Sequence, residues 1–158
     1  MRILGIDPGT GRLGFGVIDV HGRKPIMVDA GVITTPPNSP EPDRLVTIYE
    51  ELTNIVNETK PEFMSVEKLF FAQNITTAMN VSQARGVILL VGKQHDLKLF
   101  EYTPLQIKMA LTGYGRATKA QIQEMVRVLL GLKEVPKPDD CADALAAALV
   151  HAQTFRVQ

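Results

Sequence analysis

Acidic residues stand at three places where predicted core elements end or begin. Asp7 follows the short apolar run of residues 3–6, Glu67 ends a second apolar run, and residues 139–143 contain three aspartates. Carboxylates that are grouped in a fold repel one another unless a cation or a proton lies between them, and their hard oxygens suit Mg²⁺ or Mn²⁺. Two such ions about 3.5–4 Å apart can activate water and stabilise a leaving oxygen in phosphodiester hydrolysis. The acids therefore predict a divalent-metal site.

The spacing of the three aspartates at residues 139–143 does not show which two of them act together. Asp140 and Asp143 are three residues apart and share a helix face, but Asp139 and Asp143, four apart, do so equally well. Acids in the first turn of a helix also favour its macrodipole without any catalytic role. That explanation suits Asp139 and Asp140 better than Asp143, and it explains the strand-end acids Asp7 and Glu67 poorly.

The glycines after Asp7 allow two interpretations. Gly9, Gly11 and Gly14 fit the G-x-G-x-x-G dinucleotide pattern, which requires a helix that opens at the glycines. Apolar residues instead alternate with glycines over residues 13–18, and a period of two is typical of a strand. The stretch is therefore predicted to be a β-hairpin that carries Asp7 beside its turn, and the dinucleotide interpretation is rejected.

The remaining elements follow from apolar periodicity, capping residues and turn residues. The predicted strands cover residues 3–7, 13–18, 25–34, 61–67 and 98–102. The predicted helices cover residues 45–60 (after a proline-rich loop that includes Pro42), 74–94, 103–111 and 118–131, and a last one starts near residue 139. This order predicts an α/β sandwich that begins with an antiparallel meander.

Length and composition narrow the class of protein. The 158 residues are expected to form one domain, 1–158, and the sequence offers no signal peptide or membrane span. A single cysteine, Cys141, excludes an intrachain disulfide and fits a reducing cytoplasm, where we expect the protein to act. The helix predicted over residues 74–94 is apolar nearly all round, which indicates a subunit partner.

The net charge of zero excludes nucleic-acid binding by bulk positive charge alone. The charges are nevertheless separated along the chain. Residues 1–67 carry 6 basic and 10 acidic side chains, whereas residues 85–137 carry 9 basic and 4 acidic ones. This distribution is expected when carboxylates bind metal and cations hold a polyanion.

Several motifs together resemble the RuvC family of Holliday junction resolvases over essentially the whole chain. They are Gly5-Ile6-Asp7-Pro8-Gly9, Glu67 with Phe70, Asn74, Gln83-Ala84-Arg85-Gly86-Val87, Phe100-Glu101-Tyr102, Met125-Val126-Arg127 and Asp140-Cys141-Ala142-Asp143-Ala144-Leu145-Ala146. The resemblance aligns the family's last motif on Asp140 and Asp143, which leaves Asp139 as an additional first-turn acid.

The resemblance implies a ribonuclease H-like fold: a five-stranded mixed sheet with helices on both faces. It also implies a homodimeric endonuclease that nicks four-way DNA junctions in recombination and repair. Two Mg²⁺ ions per active site are implied, with Mn²⁺ as a substitute, and Asp7, Glu67, Asp140 and Asp143 as the catalytic, metal-binding residues. The implied partner is the RuvA–RuvB branch-migration complex.

Basic and aromatic residues supply candidates for DNA contacts. Arg116 and Lys119 flank the N-terminus of the helix that follows Thr118, where a bound phosphate would offset the unfavourable position of a cation. The resemblance places Lys108 and Lys119 at DNA-contacting positions and Phe70 against the bases of the junction.

Three alternatives compete with a junction-resolving nuclease. A resolvase-like RNA-processing nuclease shares the Asp7 hairpin, but the Asp140–Asp143 motif and residues 83–87 disfavour it. An actin-like phosphate-binding protein resembles two joined copies of this fold, and 158 residues hold only one. A DNA-binding module without chemistry would not need four acids at the ends of core elements.

Overall fold

A computed structural model describes residues 1–68 and 74–155 of the chain. The described elements are β1 (Arg2–Asp7), β2 (Arg12–His21), β3 (Lys24–Thr34), α1 (Glu41–Thr59), β4 (Phe63–Glu67), α2 (Ile75–Gln94), β5 (Lys98–Tyr102), α3 (Pro104–Thr112), α4 (Lys119–Leu130) and α5 (Asp139–Thr154).

The strands form one mixed sheet in the order β3-β2-β1-β4-β5. Strands β1, β2 and β3 pair antiparallel, whereas β4 runs parallel to both β1 and β5. Because β1 and β4 are parallel neighbours in which Ile6 pairs with Val66, both strands end at the same edge of the sheet. Asp7 and Glu67 are their last residues.

Helices cover both faces of the sheet, as expected. One apolar core joins α1 and α2 to side chains such as Leu4 and Ile6 of β1, and the other joins α3, α4 and α5 to the opposite face, where Ile3 points. Strand β1 is therefore buried on both sides, which explains its continuous apolar run.

Glycines allow α5 to lie directly against the middle of the sheet. A Cβ atom on Gly5 would overlap the carbonyl oxygen of Ala144, and one on Gly14 would overlap the carbonyl oxygen of Asp140. The buried Ser65 hydroxyl donates a hydrogen bond of 2.5 Å to the carbonyl oxygen of Ala147 and ties α5 to β4. The predicted hairpin is confirmed, and two of its glycines, Gly14 and Gly16, make room for a helix that is distant in sequence.

The ends of the helices follow the predicted capping signals closely, with one exception. Thr118 forms the predicted capping box with Gln121, and Gly131 ends α4 with a φ of 64°. The prediction that Pro42 belongs to a loop was wrong, because α1 begins at Glu41 and contains Pro42 in its first turn. Proline is compatible with a first helical turn, where its missing N–H has no intrahelical partner.

Helix α2 is buried on its sheet-facing side only. Val81, Ala84, Ile88 and Val91 are buried, whereas other apolar side chains of the helix, including Leu90, are exposed in this chain. Although α2 has 20 residues, none of the helices in the described part of the chain is long and apolar enough to cross a membrane.

Candidate active site

Two of the predicted acids lie side by side at the ends of β1 and β4. The carboxyl groups of Asp7 and Glu67 interact with each other. Burial, followed by the nearby charges of Glu67 and Asp143, raises the pKa of Asp7 to about 9. Burial and the charge of Asp143 also raise the pKa of Glu67. The pair therefore holds a proton at neutral pH unless a cation takes its place.

The first turn of α5 brings two further acids to this pair. Asp143 and Asp140 both raise the pKa of Asp7 through their charge. Their side chains are 24% and 30% exposed, whereas that of Asp139 is 64% exposed. The close approach of Gly14 to the backbone of Asp140 sets this position of the helix. The structure thus brings together Asp7, Glu67, Asp140 and Asp143, with Asp139 at the periphery.

Lys119 forms an ion pair with Asp143. Its Nζ lies 3.2 Å from Oδ2 of Asp143 and 3.7 Å from Oδ2 of Asp139. Burial lowers the pKa of Lys119, but its hydrogen bond to Asp143 and the neighbouring negative charges outweigh burial, so the pKa is raised overall. The ammonium group is therefore charged at any physiological pH. Because Lys119 is the first residue of α4, the Thr118 cap also fixes its backbone.

A groove extends from the acids along α3 and α4. Its polar lining consists of Glu67, Lys108, Lys119 and Asp143, and its apolar lining is Pro104, Ile107, Ile122 and Ala146. Arg116 is exposed in the loop between α3 and α4 and is not among these residues. Phe70 lies outside the described residues.

The acids have the chemistry of a magnesium site, but their side chains point to local partners. Within residues 1–68 and 74–155, no three His, Cys, Asp or Glu side chains are close enough together to hold one metal ion. Asp7 is bonded to Glu67, Asp143 to Lys119, and Asp140 faces a guanidinium group. The donor set nevertheless has the chemistry that a hard divalent cation prefers, because it consists of carboxylates, and Asp7 retains a proton where a cation could take its place.

Two residues that support the site were missed in the sequence analysis. Arg12 places its Nε 3.4 Å from Oδ2 of Asp140. The buried Thr35 hydroxyl donates a hydrogen bond of 2.7 Å to the carbonyl oxygen of Thr10 and anchors the hairpin turn. Arg12 could have been noticed as a cation five residues after Asp7 in the predicted hairpin, but its pairing with α5 depends on the tertiary fold.

The family of the chain follows from comparison with known proteins. The family model of crossover junction endodeoxyribonuclease RuvC matches residues 3–151. The chain belongs to the RuvC family. A crossover junction endodeoxyribonuclease RuvC of Desulfitobacterium hafniense is 53% identical over 157 residues, which cover 99% of this chain and 95% of the relative. The RuvC of Halothermothrix orenii is 52% identical over the same shares of both chains.

Solved structures agree with the sequence comparison. Thermus thermophilus RuvC in complex with Holliday junction substrate superposes with a TM-score of 0.94 and 37% identity, covering 99% of this chain and 96% of that one. The family resemblance and the ribonuclease H-like fold that the sequence indicated are both confirmed. Members of the RuvC family are metal-dependent endonucleases.

Proposed function

We propose that this chain resolves four-way DNA (Holliday) junctions by paired, metal-dependent hydrolysis of phosphodiester bonds, with Asp7, Glu67, Asp140 and Asp143 as its catalytic residues. Membership of the RuvC family and the likeness to a RuvC in complex with Holliday junction substrate support the reaction. The observation that carries the assignment of residues is the convergence of four carboxylates from β1, β4 and α5.

The four carboxylates would hold two Mg²⁺ ions, for which Mn²⁺ can substitute. When bound, such a pair of ions activates a water molecule and stabilises the charge on the leaving oxygen. The pKa values of Asp7 and Glu67 are raised because burial and neighbouring carboxylates disfavour their negative charges. Bound cations would favour those charges and replace the proton. Bound ions would take the place of the proton, and Asp143 and Asp140 would exchange their ion pairs with Lys119 and Arg12 for contacts with the ions.

Basic residues beside the acids hold the DNA. Lys108 and Lys119 line the same groove as Glu67 and Asp143, so a backbone phosphate bound there lies against the carboxylates. Lys119, within 3.2 Å of Asp143, is close enough to stabilise negative charge on the attacked phosphate. Arg116, in the exposed loop before α4, contacts the backbone farther out, and Phe70 stacks on bases near the cut site.

The active form is a homodimer built through α2. Exposed apolar side chains of α2 lie beside a groove between α1 and α2 whose lining includes Leu45, Val87 and Leu90. A second copy that covers this surface would generate two active sites related by a two-fold axis, which matches the two opposed strands of a four-way junction.

We also propose where the protein acts and with which partner. Residues 1–158 act as one nuclease domain in the cytoplasm, where the RuvA–RuvB complex presents the junction. A resolvase-like RNA-processing nuclease and an actin-like phosphate-binding protein are disfavoured, because the RuvC model matches residues 3–151.

An immobile four-way junction incubated with the protein and Mg²⁺ tests the proposal, with a linear duplex of the same sequence as control. Paired nicks in opposed strands of the junction, with the duplex intact, are expected. Cleavage of the duplex at an equal rate, or of an RNA substrate in preference to the junction, would contradict it.

A further inference from the structure

Arg12 forms an ion pair with Asp140, as Lys119 does with Asp143. The guanidinium Nε lies 3.4 Å from Oδ2 of Asp140, and the Arg12 side chain is 54% exposed. Lys119 approaches Asp143 from α4, whereas Arg12 approaches Asp140 from the β1–β2 hairpin. Two cations therefore flank the four carboxylates from two different elements.

The fold, and not a flexible surface side chain alone, fixes the position of Arg12. The backbone N–H of Thr35 donates to the carbonyl oxygen of Gly11, and the buried Thr35 hydroxyl donates to that of Thr10. Gly14 lies against the backbone of Asp140, so the start of β2 and the start of α5 are held together. Arg12 is placed at the edge of the site by both of these contacts.

A divalent cation and Arg12 need the same carboxylate. An ion that takes Oδ2 of Asp140 as a ligand competes with the guanidinium group, whose Nε lies 3.4 Å from that oxygen. The displaced guanidinium stays beside the site because its backbone is anchored. A planar guanidinium with five N–H donors is well suited to bind a phosphate of the DNA backbone.

We propose that Arg12 is an exchangeable counter-ion of the active site, which neutralises Asp140 before a divalent cation binds and contacts a DNA phosphate afterwards. The inference rests on the proposed function, because it takes Asp140 as a metal ligand. It assigns Arg12 two effects of opposite sign: Arg12 weakens binding of the ion and strengthens binding of DNA to the loaded protein.

A purely structural role for Arg12 makes different predictions. An ion pair as exposed as this one adds little to folding stability. A structural role would also make substitution of Arg12 weaken ion binding and DNA binding together, with a lower Tm. The opposite signs of the two effects therefore separate the roles.

Calorimetric titration of the DNA-free protein with Mg²⁺ tests the first effect. Arg12→Gln should bind the ion roughly two- to five-fold more tightly, the range expected for loss of a partly exposed ion pair. Arg12→Lys, which keeps the charge, should remain near the wild type. Arg23→Gln is the matched control, because Arg23 is exposed in the turn at the other end of β2, and it should leave the affinity unchanged.

Junction binding in Ca²⁺, used in place of Mg²⁺ to follow binding apart from turnover, tests the second effect. Arg12→Gln should bind the junction more weakly and lower the log–log salt slope by about 0.9, the value for one phosphate contact. In EDTA the loss should be smaller, since Arg12 is then engaged by Asp140. Arg12→Lys should restore part of the affinity.

Asp140→Asn distinguishes failure of this inference from failure of the proposed function. If Asp140→Asn leaves Mg²⁺ affinity unchanged, Asp140 is not a ligand and the proposed site is wrong at that residue. If Asp140→Asn weakens Mg²⁺ binding but Arg12→Gln does not strengthen it, the counter-ion role alone is overturned. In the Asp140→Asn background, Arg12→Gln should have no further effect on Mg²⁺ affinity.

Discussion

Two apolar helices lie on opposite faces of the sheet, and the chain buries them to different extents. Every residue of α5 from Cys141 to Ala152 is buried except Asp143, which belongs to the proposed site. In α2, by contrast, only one side is buried, and Leu90 on another side is 50% exposed. A helix that its own chain encloses can hold catalytic groups rigidly, whereas a half-covered apolar helix indicates a surface for a partner.

A leucine-to-aspartate substitution in each helix should show the largest difference in stability between the enclosed helix α5 and the half-covered helix α2. Leu149→Asp places a charge at a position of α5 that is 1% exposed. We expect it to lower the free energy of unfolding by about 3–5 kcal/mol or more, so that the protein fails to fold. Leu90→Asp in α2 should change the Tm of the protomer little, because surface substitutions usually stay within about 0.5 kcal/mol.

Leu90→Asp should, however, dissociate the proposed dimer, since a two-fold axis would bring both new charges to the same interface. Thermal melts and light scattering at micromolar concentration check the pair of variants. A folded Leu149→Asp protein, or a fully dimeric Leu90→Asp protein, would remove the distinction between the two helices.

Two glycine-to-alanine substitutions, one where β1 packs against α5 and one on α2, should change the free energy of unfolding by smaller amounts. In Gly5→Ala the new methyl group meets the backbone of α5 at Ala144 and Ala148, so we expect a loss of about 1–3 kcal/mol. A methyl group on Gly86 of α2 meets no atom within 4 Å in this chain, and Gly86→Ala should stabilise the protomer by about 0.5–1 kcal/mol. Denaturant unfolding measures both values. Equal destabilisation by the two substitutions would contradict the difference in packing.

The acids beside α5 should lower the stability of the ion-free protein, and the size of this effect depends on pH. The folded-state pKa of Asp7 is raised from 3.8 to about 9, so its contribution to stability is fully present below pH 3.8 and is lost as the pH rises through about 9. Asp7→Asn removes this loss. In EDTA at pH 8 the variant should therefore be more stable by at least about 1 kcal/mol, which is about 2–4 °C in Tm for a domain of this size.

The advantage of Asp7→Asn should shrink as the pH is lowered from 8 towards 3.8, because the unfolded chain then also holds the Asp7 proton and folding has less to gain from its removal. Addition of Mg²⁺ should reverse the order of the two melting temperatures, because a ligand stabilises the protein that binds it better. A wild-type protein that stays more stable than Asp7→Asn in EDTA at pH 8 would show that the buried carboxylates do not destabilise the ion-free protein.

Much of the site could be predicted from local signals in the sequence. An acid at the end of a buried strand, as at Asp7 and Glu67, shows its position through the apolar run before it. The Thr118 cap likewise fixed the start of α4. These features depend on neighbouring residues, and local patterns record them.

Features that depend on how distant elements approach could not be read from spacing. The choice between Asp139 and Asp140 depends on how α5 is rotated against β2, which the contact between Gly14 and Asp140 decides. The pairing of Arg12 with Asp140 joins residues at opposite ends of the chain and leaves no periodic trace. Family resemblance supplied the register that the aspartate spacing left open.

The rotation of α5 also offers the most direct test of the central claim, that four acids from β1, β4 and α5 form the catalytic centre. Cleavage of an immobile four-way junction in Mg²⁺ should be compared between Asp140→Asn and Asp139→Asn, which remove neighbouring carboxylates from the same helical turn. Loss of a metal ligand costs several kcal/mol of transition-state stabilisation, so we expect Asp140→Asn to be about 1,000-fold slower or inactive. Asp139→Asn should cleave at close to the wild-type rate. An active Asp140→Asn protein together with an inactive Asp139→Asn protein would contradict this arrangement of the site.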